Sequence, residues 1–130
     1  MDACTVRRVD EMESIFWGSF KRARAELGVT SFGLAVIDLP PNASRYPEHD
    51  HAADGQEEVY VALSGTGEIE VEGERHPLDQ ETLVRVSAES KRKVFTGDDP
   101  MRLLVIGGIP GKPFQVGEIT ELGAADPTAG

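Results

Sequence analysis

The stretch HDHAADGQEEVYVALSG, residues 49–65, combines two histidines with an acidic, strand-forming segment. Side chains two residues apart on an extended chain project to the same side, so we expect His49 and His51 to face one interior. Glu58, at the start of the strand, can add a carboxylate to that face. Two imidazoles and one carboxylate form a facial triad, which suits Fe, Mn, Ni or Zn with open positions for substrate. The alternative is a pair of surface histidines in a polar loop.

Short apolar runs recur along the chain on both sides of this stretch and are separated by turn-forming Gly, Pro, Asn and Asp. They cover residues 32–39, 58–63, 68–71, 75–78, 82–86, 94–95 and 101–109. Many short strands at regular spacing are typical of an antiparallel sandwich or barrel. The sequence therefore predicts an all-β fold.

The segment before these strands has a helical period. Asp10 and Glu13 form a capping-box pattern, Met12, Phe16 and Phe20 share one helical face, and a glycine at position 28 marks an end. We therefore expect a helix over residues 10–27, after an N-terminal arm (1–9) and within a single domain spanning 10–122. The small, polar residues 123–130 predict a flexible tail.

The histidine stretch resembles the first motif of the cupin family, G-x5-H-x-H-x(3,4)-E-x6-G. His49 and His51 match the histidine pair, and Glu58 is followed after six residues by Gly65. The leading glycine is missing, and six residues instead of three or four separate His51 from Glu58. The resemblance covers residues 32–113. It implies a double-sheet jelly-roll barrel with the site inside, and His49, His51 and Glu58 as metal ligands.

The second cupin motif, G-x5-P-x-G-x2-H-x3-N, is lost at all five defining positions, and Arg92 stands where its histidine ligand belongs. A guanidinium stays charged and does not coordinate metal. Arg92 can pair with Glu58 in place of a metal, or clamp an anionic ligand beside a three-ligand metal, or form a solvated edge with its lysine neighbours. Tyr60, two residues after Glu58, shares the interior face and can offer a hydroxyl to a ligand.

Composition excludes several classes of function. The 130 residues carry 13 Lys plus Arg and 23 Asp plus Glu, a net charge of −10, which argues against nucleic acid as a partner. The longest aliphatic runs, residues 34–37 and 103–106, are too short to cross a membrane. One cysteine, Cys4, excludes an internal disulfide. Since no apolar signal core opens the sequence, we expect a cytoplasmic protein.

Three hypotheses for function follow. The first is a barrel that binds a small organic molecule, with an anionic ligand as one case, either with a divalent metal (Fe, Mn, Ni or Zn) or with none. The second is a metal-dependent enzyme of the oxygenase, isomerase or decarboxylase class. The third is a non-catalytic scaffold, a homodimer joined through its sheets. The histidine pair, glutamate and second glycine retained from the first motif favour a working pocket, and the lost second motif favours binding over catalysis. Whether any reaction is catalysed stays open.

Overall fold

The computed structural model describes residues 3–129. Met1 and Asp2 of the predicted arm and Gly130 of the predicted tail therefore lie outside the described residues. The elements in chain order are a 3-10 turn (Val9–Glu11), β1 (Ser14–Ile15), β2 (Phe20–Lys21), α1 (Ala23–Leu27), β3 (Gly33–Leu39), β4 (Glu57–Val71), β5 (Glu74–Leu78), β6 (Val84–Val86), β7 (Arg92–Gly108) and a second 3-10 turn (Glu118–Thr120). None of the helices in residues 3–129 has the length and apolar character needed to traverse a bilayer.

The seven strands form an antiparallel sheet in the order β1-β2-β3-β7-β4-β5, and β6 pairs with β4. β4 and β7 pair along their whole length, from Glu57 opposite Gly108 to Val71 opposite Arg92. The other edge of β4 pairs with β6 near its start and with β5 near its end. The bent β4–β7 pair therefore belongs to both layers of the barrel. The predicted all-β, cupin-type fold is confirmed.

The bend in β4 lies where the sequence predicts a break between two strands. The structure has one continuous strand there, with register shifts between Ala62 and Ser64 and between Gly65 and Gly67. Gly65 has φ +70°, and a Cβ at this position would lie 1.9 Å from the carbonyl oxygen of Pro100 on β7. Glycine is required because the two backbones approach too closely for any side chain.

The core fills the space between the two layers. Its buried members come from β3, β4, β5, β6 and β7, with Tyr46 added from the loop between β3 and β4, and they include Ile37, Ile69, Leu78 and Leu103. The inward residues of β3 and β4 follow the two-residue strand period, which is the alternation on which the strand predictions rest.

The short N-terminal helix is present, but it is shorter than predicted. It covers Ala23–Leu27 and ends at Gly28, whose φ of +77° gives the expected left-handed C-terminal cap. The predicted start at Asp10 is wrong, because residues 14–21 form a hairpin of β1 and β2. Phe16 and Trp17, at the turn of this hairpin, have φ of +54° and +59°, which no right-handed helix accommodates.

Contacts from the far end of the chain replace the hydrogen bonds that a helix would have made. The Asp126 carboxylate accepts from the backbone N–H of Phe16 at 3.2 Å, and the Thr128 hydroxyl accepts from that of Trp17 at 3.2 Å. Glu13 accepts from Arg22 and from the N–H of Gly123 instead of closing a capping box. Flexibility of the tail stays a prediction, and these hydrogen bonds argue against it for residues 123–128.

We predict that Gly65→Ala destabilises the barrel by about 2 kcal/mol or more, since the new methyl group collides with a backbone carbonyl and the residue keeps an unfavourable φ. Gly97→Ala is the matched control, because a Cβ at position 97 meets nothing within 4 Å. Its effect should stay within about 0.5 kcal/mol. Urea unfolding of both variants measures the difference, and equal stabilities would show that β4 and β7 do not approach closely at Gly65.

Candidate metal centre

A cavity of about 270 Å³ lies inside the barrel. Aromatic and aliphatic side chains form most of its wall, and one cluster of polar side chains projects into it. The cluster consists of His49, His51, Glu58, Tyr60 and Arg92. The volume lies near the lower limit for ligand pockets, which suits a small molecule.

The three residues proposed as metal ligands converge at this cluster. One ligand atom from each of His49, His51 and Glu58 lies within 4.8 Å of the others. The Nε2 atom of His51 is 3.2 Å from Glu58 Oε1, and that of His49 is 4.0 Å from the same oxygen. Ligand atoms of one metal ion lie at such separations, so the donor set and its spacing both fit a divalent transition metal.

In each of the two imidazoles, a hydrogen bond made by Nδ1 orients the ring. The Nδ1 atom of His49 lies 3.2 Å from the Pro47 carbonyl oxygen, which can only accept, so Nδ1 donates. The Nδ1 atom of His51 lies 3.0 Å from an Asp54 carboxylate oxygen. With Nδ1 donating in each ring, Nε2 faces Glu58 and can ligate a metal, an arrangement common around metal-bound histidines.

Asp54 belongs to the loop between His51 and Glu58, which is longer here than in the first cupin motif. The Gly55 N–H donates to the His51 carbonyl at 2.8 Å, and Gly55 has φ +77°. The Asp54 carboxylate also accepts from the Gln56 N–H at 3.0 Å. The extra residues therefore form a tight turn that folds a carboxylate back onto the second histidine.

Tyr60 and Glu58 are joined by a short hydrogen bond. The Tyr60 hydroxyl donates to Glu58 Oε1 at 2.7 Å, and Tyr60 is only 2% exposed. Burial, followed by the charge of Glu58, raises the pKa of Tyr60 well above its usual range, so the phenol keeps its proton. Burial alone would raise the pKa of Glu58, but His51, Tyr60 and Arg92 outweigh it and lower that pKa.

Arg92 is fully buried beside the triad. Its Nη2 donates to the Ser87 carbonyl at 2.7 Å, and its Nη1 lies 3.5 Å from Glu58 Oε1. Nε and Nη1 have no hydrogen-bond partner within residues 3–129. Its backbone pairs with His49, which ties the first histidine to β7. The hypothesis of a solvated edge at Arg92 is wrong, since the side chain is 0% exposed; pairing with Glu58 and anion binding both stay open.

The two histidines differ electrostatically. Burial lowers the pKa of His49. Burial also acts to lower the pKa of His51, but the carboxylates of Glu58 and Asp54 more than offset it, and the pKa of His51 is raised. Without a metal, a proton on His51 Nε2 satisfies the facing carboxylate. A metal ion would take the place of that proton.

Two glycines leave room next to Glu58. Glu58, Gly107 and Gly33 lie opposite one another on β4, β7 and β3. A Cβ on Gly107 would lie 2.6 Å from the Gln56 side-chain oxygen and 3.3 Å from Glu58 Cγ. The sequence analysis assigns no role in the site to Gly107 or to Gln56. No periodicity could identify either, because their importance depends on contacts across strands.

Comparison with known proteins establishes the family of the chain. The sequence model of the cupin domain matches residues 35–107, more than half of the chain. The chain belongs to the cupin family. A comparison with curated proteins finds no match.

Solved structures show the same cupin fold. A cupin protein from Bacteroides fragilis is 24% identical, with a TM-score of 0.71, over 90% of this chain and 93% of that one. A sugar phosphate isomerase of the cupin superfamily from Silicibacter pomeroyi is 20% identical, with a TM-score of 0.63, over 79% of this chain and 74% of that one. At these identities the likeness extends to the fold alone.

We predict that Tyr60→Phe destabilises the protein by about 1.5–3 kcal/mol, because Glu58 loses a hydrogen bond to a charged group in a mostly buried place. Tyr46→Phe is the matched control, since Tyr46 is also buried in this cavity but its hydroxyl makes no hydrogen bond within the described residues. Urea unfolding near pH 7 compares them. A loss no larger for Tyr60→Phe than for Tyr46→Phe would contradict the Tyr60–Glu58 interaction.

Proposed function

We propose that the barrel binds a small anionic organic molecule next to a divalent transition metal held by His49, His51 and Glu58. Two neutral imidazoles and one carboxylate contribute a single negative charge, and three ligands leave coordination positions open toward the cavity. The observation that carries the proposal is Arg92, a fully buried cation at the edge of the triad. Two of its side-chain nitrogens, Nε and Nη1, have no hydrogen-bond partner in the described part of the chain.

An anionic ligand would satisfy Arg92. A buried N–H group without a partner is costly, and a buried charge more so. Glu58 compensates the charge of Arg92 only in part. Its Oε1 lies 3.5 Å from Arg92 Nη1, and the same oxygen also faces His51 and accepts a hydrogen bond from Tyr60. A carboxylate or another oxyanion placed between Arg92 and the metal would pair with both cations. The planar guanidinium fork is suited to that geometry.

A catalytic role is the second candidate. A bound divalent metal would supply Lewis acidity to a ligand oxygen at its open position. The chain's own groups would orient the ligand: Arg92 would hold its anionic group, and the apolar wall would exclude water. Tyr60 would keep Glu58 in place through its hydroxyl, and its high pKa keeps it a donor. The polar cluster inside the barrel supports this candidate over a scaffold, which has no need for one.

Titration of Zn²⁺ or Ni²⁺ into the wild type and Arg92→His tests the proposal. The substitution removes a positive charge beside the metal and adds a fourth imidazole, so we expect affinity to rise by about tenfold or more. Glu58→Gln should bind more weakly than the wild type, since it removes the only carboxylate of the triad. Equal affinities in the wild type and Arg92→His would mean that Arg92 lies outside the metal site.

Asp54 generates a separate prediction. Removing the hydrogen-bond partner of a ligating histidine typically weakens metal binding by about 10–100-fold. We therefore expect Asp54→Asn to lower Zn²⁺ affinity within that range. Asp50→Asn is the control, because Asp50 is an exposed carboxylate of the same loop whose side chain accepts from the Ala52 N–H instead. If both variants bind Zn²⁺ equally well, the Asp54 contact does not orient His51.

A further inference from the structure

A second buried arginine, Arg24, lines the same cavity on a different element. It belongs to α1, which packs against β3. The backbone around it is fixed, since its carbonyl accepts from the N–H groups of both Gly28 and Val29 at the helix end. Arg24 is 7% exposed. A rigid short helix therefore holds a guanidinium against the wall of the barrel interior.

Comparison with Arg22 indicates what Arg24 lacks. Arg22 has all three side-chain nitrogens engaged: Nε donates to the Ile119 carbonyl, Nη2 to the Ala124 carbonyl and Nη1 to Glu13. Arg24 makes one side-chain hydrogen bond, from Nη1 to the Val29 carbonyl at 2.7 Å. Its Nε is buried without a partner, and no carboxylate within residues 3–129 pairs with it. Arg22 anchors the C-terminal segment, whereas Arg24 keeps donors free.

Three cationic residues, Arg24, Arg92 and Lys93, and two carboxylates, Glu58 and Asp54, line the cavity. The Asp54 carboxylate is already paired with His51. Arg24 and Arg92 are both cationic, and each has a buried Nε that no group of residues 3–129 accepts from. Glu58 is shared among His51, Tyr60 and Arg92. The wall that completes the cavity is mainly apolar and includes Phe16, Phe20, Leu34, Ile37 and Phe114. The cavity thus combines the two separate guanidinium groups of Arg24 and Arg92 with a mainly apolar lining.

We propose that Arg24 is a second anion-binding residue of the cavity, so that its ligand carries two oxyanions joined by a short apolar body. The proposal deepens the proposed function, which rests on Arg92 and the metal triad, by assigning the second anionic group to Arg24. Carboxylate and phosphate share the required chemistry, because both accept paired hydrogen bonds from a guanidinium. The apolar wall contacts the carbon chain between them.

Binding of matched acids tests this without an enzymatic assay. We would titrate α,ω-dicarboxylates of four to eight carbons, and the monocarboxylate of each length, into protein as purified and after dialysis against EDTA. At least one diacid should bind the wild type about tenfold or more tightly than its monoacid, the gain expected from one additional charged hydrogen-bonded contact. The proposal would be overturned if no diacid bound more tightly than the monoacid of the same length, or if none of the acids bound.

Three variants test whether the tighter binding of diacids depends on Arg24. Arg24→Met should reduce diacid affinity to about that of the monoacid, and a urea unfolding curve of the variant shows whether the protein remains folded. Arg24→Lys keeps the charge and should retain part of the diacid preference. Arg8→Met removes an exposed arginine and should change neither. A diacid preference that persists in Arg24→Met would overturn the assignment.

Two further measurements distinguish phosphate from carboxylate recognition, and the role of the metal from that of Arg24. An ω-phosphono acid in place of the best diacid distinguishes phosphate from carboxylate recognition, and either preference fits Arg24. Failure of the metal titration would remove the metal from the proposed function. The acid comparison after EDTA dialysis tests Arg24 independently, so the two failures are distinguishable.

Discussion

Full-length pairing of β4 with β7 is the constraint on which the other features depend. The pair spans both layers of the barrel, so its bend sets the shape of the cavity between them. Glu58 lies near one end of the pair, opposite Gly107, and Arg92 lies at the other end, opposite Val71. The bend of the pair therefore brings Arg92 Nη1 to 3.5 Å from Glu58 Oε1. The backbone of His49 then pairs with that of Arg92, and this brings the histidine loop to the same place. A shift of the register by one residue would turn each of these side chains away from the interior.

The electrostatics of the interior explain why so polar a cluster is tolerated. Glu58 is compensated from three directions, by His51, Tyr60 and Arg92, and its pKa is lowered although burial acts in the opposite sense. The guanidinium groups are not compensated to the same degree, since buried nitrogens of Arg24 and Arg92 lack hydrogen-bond partners among the residues that the structure describes. A metal ion would add further positive charge. The anionic ligand that we propose would balance these charges.

Local patterns predict the strands and the triad, because both depend on short-range spacing. The two-residue alternation marks the inward faces, and the interval from Glu58 to Gly65 selects Glu58 over Glu57, whose carboxylate instead meets Arg85 outside the cavity. The N-terminal hairpin could not be predicted in this way. Its turn depends on Asp126 and Thr128, more than 100 residues away, whereas the local pattern is that of a helix.

Metal content is the most direct test of the account. Protein purified without a metal-affinity tag is analysed for Fe, Mn, Ni and Zn, in parallel with Glu58→Gln. The account predicts nearly one equivalent of metal per chain in the wild type and a clear loss in the variant, together with a higher melting temperature when metal is added to stripped protein. Less than about a tenth of an equivalent in the wild type, with no change in melting temperature on addition of Zn²⁺ or Ni²⁺, would contradict it.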